Sequence, residues 1–506
     1  MKKITLKITV LCLAILAMTL IFASCASSDG SIEYKKTKGG YEVVGLDESA
    51  GEEIEIPATY KGKDVISIAD NAFYGAKIKK VTIPSTVKTV GNQAFAYCER
   101  LEGVYIADIN AYAQIEFASI ESNPLYYAHK LYINGNEESE ITIDAESVGS
   151  FALAGLGNIS KITLNNATSI GSGAFSYASS LLEISIPSTL ESIGASAFSH
   201  AESLAAIELP DGVDEISHST FAFCSSLKSA TLPSSLMIIP ERMFLGCISL
   251  ETITLPDNLL TISDSAFSGC STLDNITIPV KVTEILDYAF FNCANLKLIN
   301  ISENSKLKTI GNSAFRGCYS IVDLSLMNAS DLTLIDKSAF QFCTNLTNIQ
   351  IPDTIKTLGD HAFSGCDSLA LAEYNGIGYI GNPESPKLIA VKATDSSLTS
   401  AKITASTKFI CSGAFERHAS LTEVIMVTEV AENKGILGIG CNAFAFCPKL
   451  AKISIGKSIN TIGDNALMGC KVLKTIKYGS NSSSWKNVTK GTNWTYGAGT
   501  STVTYS

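Results

Sequence analysis

Among the residues that could act as nucleophiles or metal ligands, the thiols stand out by their regular spacing: this 506-residue chain holds 14 cysteines and only five histidines. Ten of the cysteines, at 98, 224, 247, 270, 293, 318, 343, 366, 447 and 470, stand three residues after a Phe or Leu. Paired cysteines in an exported protein would suggest disulfides. Here the equivalent positions elsewhere hold Ala76, Ala154, Ala178 and Ala201. The site therefore wants a small buried side chain, which a free thiol also is. Side chains stacked in register along a sheet stay near the ~4.8 Å strand spacing, wider than the ~3.8 Å between Cβ atoms in a relaxed disulfide. The expectation is a ladder of free thiols. No close-spaced ligand pair faces another pair, so no metal site and no cofactor are expected.

The histidines give no catalytic pattern. His129 lies outside the regular spacing, and His200, His218, His361 and His418 lie within three residues of a repeated Phe, as substitutions at turns. Neither His-Glu-x-x-His nor Gly-x-Ser-x-Gly occurs. Gly376-Ile377-Gly378-Tyr379-Ile380-Gly381 matches a dinucleotide fingerprint. That chemistry needs a helix N-terminus next, and Asn382-Pro383-Glu384-Ser385-Pro386 cannot open one. An enzyme is not expected.

The element that carries these residues is a repeat. Phe recurs at 73, 95, 175, 198, 221, 244, 267, 290, 315, 340, 363, 415 and 444, with Leu467 standing in once. Within one unit, Ile253, Thr254 and Leu255 alternate apolar and polar as a strand does, and Pro256 ends the run. Leu259, Ile262, Phe267 and Cys270 then point inward as the chain returns. One such unit cannot bury its own apolar set; stacked units can, each covering the next. The strands should line up in parallel as a continuous sheet. Its outward positions form a small, mostly uncharged polar row: Glu208, Thr231, Thr254, Thr277, Asn300, Ser325 and Gln350, continued towards the N-terminus by Thr82, Thr142, Thr163 and Ser185. These are the candidate ligand-binding residues, although Thr is also simply a good solvated strand residue.

The repeated Leu-x-x-Ile-x-Ile-Pro, Ile-Gly and Ala-Phe-x-x-Cys resemble the BspA-like leucine-rich repeat proteins over nearly all of residues 32–506. Asn123-Pro124-Leu125-Tyr126 with Leu131-Tyr132-Ile133 is similar to that family's inter-repeat insertion, and Trp485 to Trp494 to its C-terminal cap. The expected fold is a curved leucine-rich-repeat solenoid, mainly parallel β with turns and short helical segments, of about 18 repeats of about 23 residues. Residues 32–478 would form the solenoid, with irregular insertions near 103–140, 367–400 and 428–441, and residues 479–506 the cap. The resemblance implies a cell-surface protein that adheres to host or bacterial partners.

The start of the chain agrees with export. Lys2, Lys3 and Lys7 precede a 15-residue apolar run, Ile8 to Phe22, and small residues lead to Cys25. The segment resembles a bacterial lipobox, with residues 1–24 as the signal, Cys25 as the lipid-bearing thiol and residues 25–31 as a tether; Phe22 departs from its usual Leu. The net charge of −11 with no basic cluster argues against nucleic acid, and against membrane contact other than through that anchor. Protein or glycan ligands at the cell surface remain as partners. The alternative to an adhesin is an envelope scaffold that recognises cell-wall or surface glycan.

Overall fold

The computed structural model describes residues 26–28, 31–427 and 435–505. The signal, Cys25 and part of the 428–441 insertion lie outside these described residues. Contacts divide the chain into two compact units, one of residues up to 205 together with 215–221, the other of 206–214 together with 222–506. Each is a parallel β-solenoid, and the chain winds through about 20 turns in all. Among the described residues no helix is long and apolar enough to cross a membrane.

In the second unit each coil contributes two short strands. The first is the expected Ile-x-Ile segment: Ser229–Thr231, Thr252–Ile253, Asn275–Ile278, Leu298–Ile301, Asp323–Ser325 and Asn348–Gln350. It does not form the expected continuous sheet, but breaks into sheets of two and three strands. These strands hold two to four residues and run into prolines such as Pro233, Pro256 and Pro279, which bring no N–H to a ladder. The row is therefore interrupted twice, after Thr252–Ile253 and after Leu298–Ile301. The second strand, absent from the sequence expectation, is the more continuous. Ile238–Ile239, Thr261–Ile262, Glu284–Ile285, Thr309–Ile310, Leu334–Ile335 and Thr357–Leu358 pair in parallel as one six-stranded sheet.

The Ala-Phe turns lock coils together by a third track. Phe244 N–H donates to the Ala266 carbonyl, Phe267 to Ala289 and Phe290 to Ala314, each at 2.8 Å. The rings stack in the core: Phe244, Phe267, Phe290, Phe315 and Phe340 follow one another at 5.1–5.4 Å with nearly parallel planes. Between them the thiols also form a ladder. Cys270, Cys293, Cys318, Cys343 and Cys366 each donate S–H to the carbonyl of the Phe one coil earlier, at 3.1–3.3 Å. All twelve described cysteines are free.

The first unit opens on three antiparallel strands, Ala26–Ser28, Ile32–Lys36 and Tyr41–Leu46, and continues with the same two parallel rows. Its Ile-Gly glycines mark close coil contact: a Cβ on Gly171 would sit 2.5 Å from the Ser150 nitrogen, and one on Gly194 2.5 Å from Ser172 N. The expected insertion near 103–140 stays in register at both ends, because Gly103–Ile106 and Leu131–Ile133 join the first row. The 367–400 insertion is an antiparallel sheet of Ala372–Tyr374, Ile377–Ile380 and Ile389–Ala393. The dinucleotide-like glycines lie in that hairpin. At the C-terminal end, Thr489–Lys490 and Thr502–Tyr505 extend the two rows, and Trp485 from a five-residue helix packs on Tyr478.

Candidate functional site

Alternation along the first strand row decides which side chains face out. Ile207, Ala230, Ile276, Ile299, Leu324 and Ile349 are buried, so the next residue in each strand is directed away from the core. Glu208, Thr231, Thr277, Asn300 and Ser325 are exposed, as is Thr254 just beyond its two-residue strand. Gln350 is half-buried, because its strand forms a parallel bridge to Gly381 of the 367–400 insertion. The row is linked only loosely: Asn300 Nδ2 donates to Thr277 Oγ1 at 3.4 Å, and Ser325 Oγ to Gln350 Oε1 at 3.2 Å.

In the first unit the same outward positions build something more definite. Thr82 pairs with Tyr105, and Tyr105 with Tyr132. The two tyrosine rings stack at 4.5 Å with planes 6° apart, and Lys80 Nζ lies 4.4 Å over the Tyr105 ring. Gly103 leaves room for them, since a Cβ there would fall 2.8 Å from the Tyr132 ring. Tyr132 stands out in sequence within Leu131-Tyr132-Ile133, and Tyr105 does not. Val104-Tyr105-Ile106 repeats the Ile-Thr-Ile alternation with Tyr at the outward place, and that signal could have found it.

The histidines divide. His418 is not a turn substitution: it takes the ladder position of the cysteines, is buried, and its Nε2 lies 2.9 Å from the Asp395 carbonyl. His129, by contrast, caps a short helix in the left-handed region and contacts the Gly155 carbonyl. Among the described residues no group of three or more His, Cys, Asp or Glu could hold a metal ion. Burial pushes the Cys293 and Cys411 thiols up to about 12, away from reactivity.

One break in the array brings chemistry together. Thr357–Leu358 ends the six-stranded sheet, and Phe409–Ile410 belongs to the next one. Ala393, from the insertion, takes the Ala414 carbonyl that the coil pattern would give to Phe363. The Phe363 and Gly365 N–H groups and the Leu358 carbonyl are left without a partner among the described residues. A cavity of about 510 Å³ opens there, lined by Asp360, His361, Cys366, Cys411 and Ser412 among others. Asp360 Oδ1 accepts the Ser412 hydroxyl at 3.0 Å and the Cys441 N–H at 2.7 Å. Ser412 Oγ accepts the His361 N–H at 3.0 Å. The Cys441 sulfur lies 3.4 Å from His361 Nε2.

A family model described as BspA type leucine rich repeat region matches in six copies, over residues 49–131, 146–274, 237–370 and 392–492. No curated protein matches the chain. Among solved structures, a leucine-rich repeat protein from Bacteroides ovatus is 25% identical, over 95% of this chain and 99% of that one, with a TM-score of 0.49. A leucine rich cell surface protein from Faecalibacterium prausnitzii is 21% identical over 92% and 98%, with a TM-score of 0.36.

Proposed function

Because the chain belongs to the BspA-type leucine-rich repeat proteins, we propose that it is a surface-anchored binding protein that recognises host or bacterial macromolecules through its outward strand face. One observation carries this reading. Coil after coil presents exposed side chains at the first strand row that the fold does not use for packing. Stacked repeats turn such positions into an extended surface, the form in which solenoids bind macromolecules. A small ligand would instead want a concave apolar pocket.

The Tyr105–Tyr132 pair is the expected anchor. Tyrosine offers a large contact area at little entropic cost and is enriched among residues that dominate interface energies. The test is a binding panel of matrix proteins, host-cell surfaces and partner bacteria. Against any partner found, Tyr105→Ala with Tyr132→Ala should weaken affinity by about 30-fold, the weight of one hot spot. A panel wholly negative at micromolar protein would sink the adhesin reading. The hydroxyl- and amide-rich row of the second unit favours one other reading, an envelope scaffold for cell-wall or surface glycan. Retention on peptidoglycan or polysaccharide, with no protein affinity, would select it.

Surface display rests on the leader and Cys25, which belong to the reading from sequence. The Cys25→Ala variant should leave the membrane fraction, and the parent should be shaved from intact cells by added protease. A parent untouched by protease, or a variant still sedimenting with membranes, would contradict the lipid anchor.

A further inference from the structure

Five features join successive coils of the second unit, and at the 367–400 insertion all five stop. The second strand row ends at Thr357–Leu358 and resumes in another sheet, where Ile389–Ala393 pairs with Phe409–Ile410. The first row ends at Asn348–Gln350 and resumes at Ser400–Ile403, with the isolated Gln350–Gly381 bridge between them. The turn bonds stop at the Phe363 N–H, which has no partner among the described residues. The Phe stack runs to Phe363, 5.7 Å from Phe340, and starts again with Phe415 and Phe444 at 5.1 Å. In the thiol ladder Cys366 still reaches the Phe340 carbonyl, but the next rung is His418, which turns to the Asp395 carbonyl. The apolar core keeps the same boundary. One cluster of buried side chains runs from Ile377 to Val488 and, among the described residues, takes in nothing before Ile377. The earlier interruptions of the first row are different, because there the second row and the Phe stack run on.

We propose that this joint is a seam built into the solenoid: the coils up to Cys366 and those from Ile377 onward open and unfold as separate blocks, and Asp360 is the latch that holds them together. Both blocks belong to one compact unit, so the seam is a joint without backbone pairing rather than a gap between bodies. What spans it is polar and rests mostly on side chains. Asp360 Oδ1 accepts both the Ser412 hydroxyl and the Cys441 N–H, and Ser412 Oγ accepts the His361 N–H. Asn382 Nδ2 donates to the Ile351 carbonyl at 2.8 Å, Ser385 Oγ to Asp353 Oδ2 at 3.0 Å, and Lys408 Nζ to the Asp353 carbonyl. A solenoid is cooperative because each coil stabilises the next through their shared interface. A few polar bonds beside a cavity of about 510 Å³ replace the ladder and the stacked rings poorly.

The test is amide hydrogen exchange of the full chain, followed by mass spectrometry through a denaturant series. Phe340→Ala should speed exchange by at least about 100-fold in the coils on both sides of it, those of Phe315 and Phe363. Phe363→Ala should do so in the Phe340 coil and leave residues 409–418 at the parent's rate. Phe415→Ala should disturb the Phe444 coil and spare residues 357–366. A variant that unfolds one block outright still decides, because the other block must then keep the parent's exchange and denaturant midpoint. Asp360→Ala should release the His361 and Cys441 amides about 30-fold faster, with the interior coils of both blocks unchanged. Acceleration that passes from 357–366 into 409–418 as it passes between ordinary coils overturns the seam. So does a single unfolding transition shared by both blocks. Unchanged His361 and Cys441 amides in Asp360→Ala overturn the latch.

Discussion

Phe267→Ala should destabilise its part of the second unit by about 3–5 kcal/mol, the usual cost of emptying a packed aromatic site. Phe267 is fully buried, with the Phe244 ring 5.4 Å away on one side and the Phe290 ring 5.2 Å away on the other. Neither neighbour can slide in to fill the gap. Each belongs to a coil whose turn is bonded to the next, Phe244 N–H to Ala266 and Phe290 N–H to Ala314. The hole therefore persists, and the loss includes the cavity as well as the lost burial. A solenoid's stability is a chain of nearest-neighbour terms, so the damage should be local. Amides in the coils holding Phe244, Phe267 and Phe290 should exchange at least about 100-fold faster, with those of distant coils little changed. Phe223→Ala provides the contrast. That ring is 42% exposed, and its loss should cost less than about 1 kcal/mol. A Phe267→Ala protein with the parent's melting curve would refute the register of the whole array.

The register was legible because Phe spacing and Ile-x-Ile alternation are local signals, repeated many times. The second strand row was not. Thr261–Ile262 and its equivalents are two residues long, too short to show any period, and only pairing between coils defines them. The cysteines were half legible. Interchange with Ala marked the site as small and buried, but nothing within one coil shows that the S–H reaches the Phe carbonyl of the coil before. His418 was misjudged for a similar reason. Its partner, the Asp395 carbonyl, lies in the 367–400 insertion, where the repeat gives no guide to position. The cavity at the break was wholly hidden. Ser412 is 52 residues from Asp360, and Cys441 is 81.

Asn123 tests what the 103–140 insertion is for. In sequence it is one polar residue before a proline, and it reads equally well as part of a binding loop or of a worn repeat. In the structure it is fully buried and makes four hydrogen bonds. Nδ2 donates to the Phe151 and Ala152 carbonyls at 2.6 and 2.9 Å, and Oδ1 accepts from Tyr112 Oη–H and Leu125 N–H, both at 2.9 Å. One side chain thus joins the insertion to the coil after it, where backbone bonds join regular coils. Asn123→Ala would leave the Ala152 carbonyl, a hydroxyl and an amide unpaired in the interior, each costing about 1–3 kcal/mol unless water enters, while the Phe151 carbonyl keeps the Ala154 N–H. Partial relaxation lowers the total, and a loss of about 4 kcal/mol from the first unit is expected. Tyr112→Phe removes only one of the four bonds and should cost about 1 kcal/mol. Asn123→Asp keeps the shape but turns a carboxylate oxygen towards two carbonyls, and should be no milder than Ala. Denaturant unfolding, with exchange followed at residues 123–125 and 151–155, separates these cases. A loss below 1 kcal/mol for Asn123→Ala would mean that the insertion is not clamped to the array. The Tyr105–Tyr132 pair, set on strands at its two ends, would then lose the rigid support that its role as a binding anchor requires.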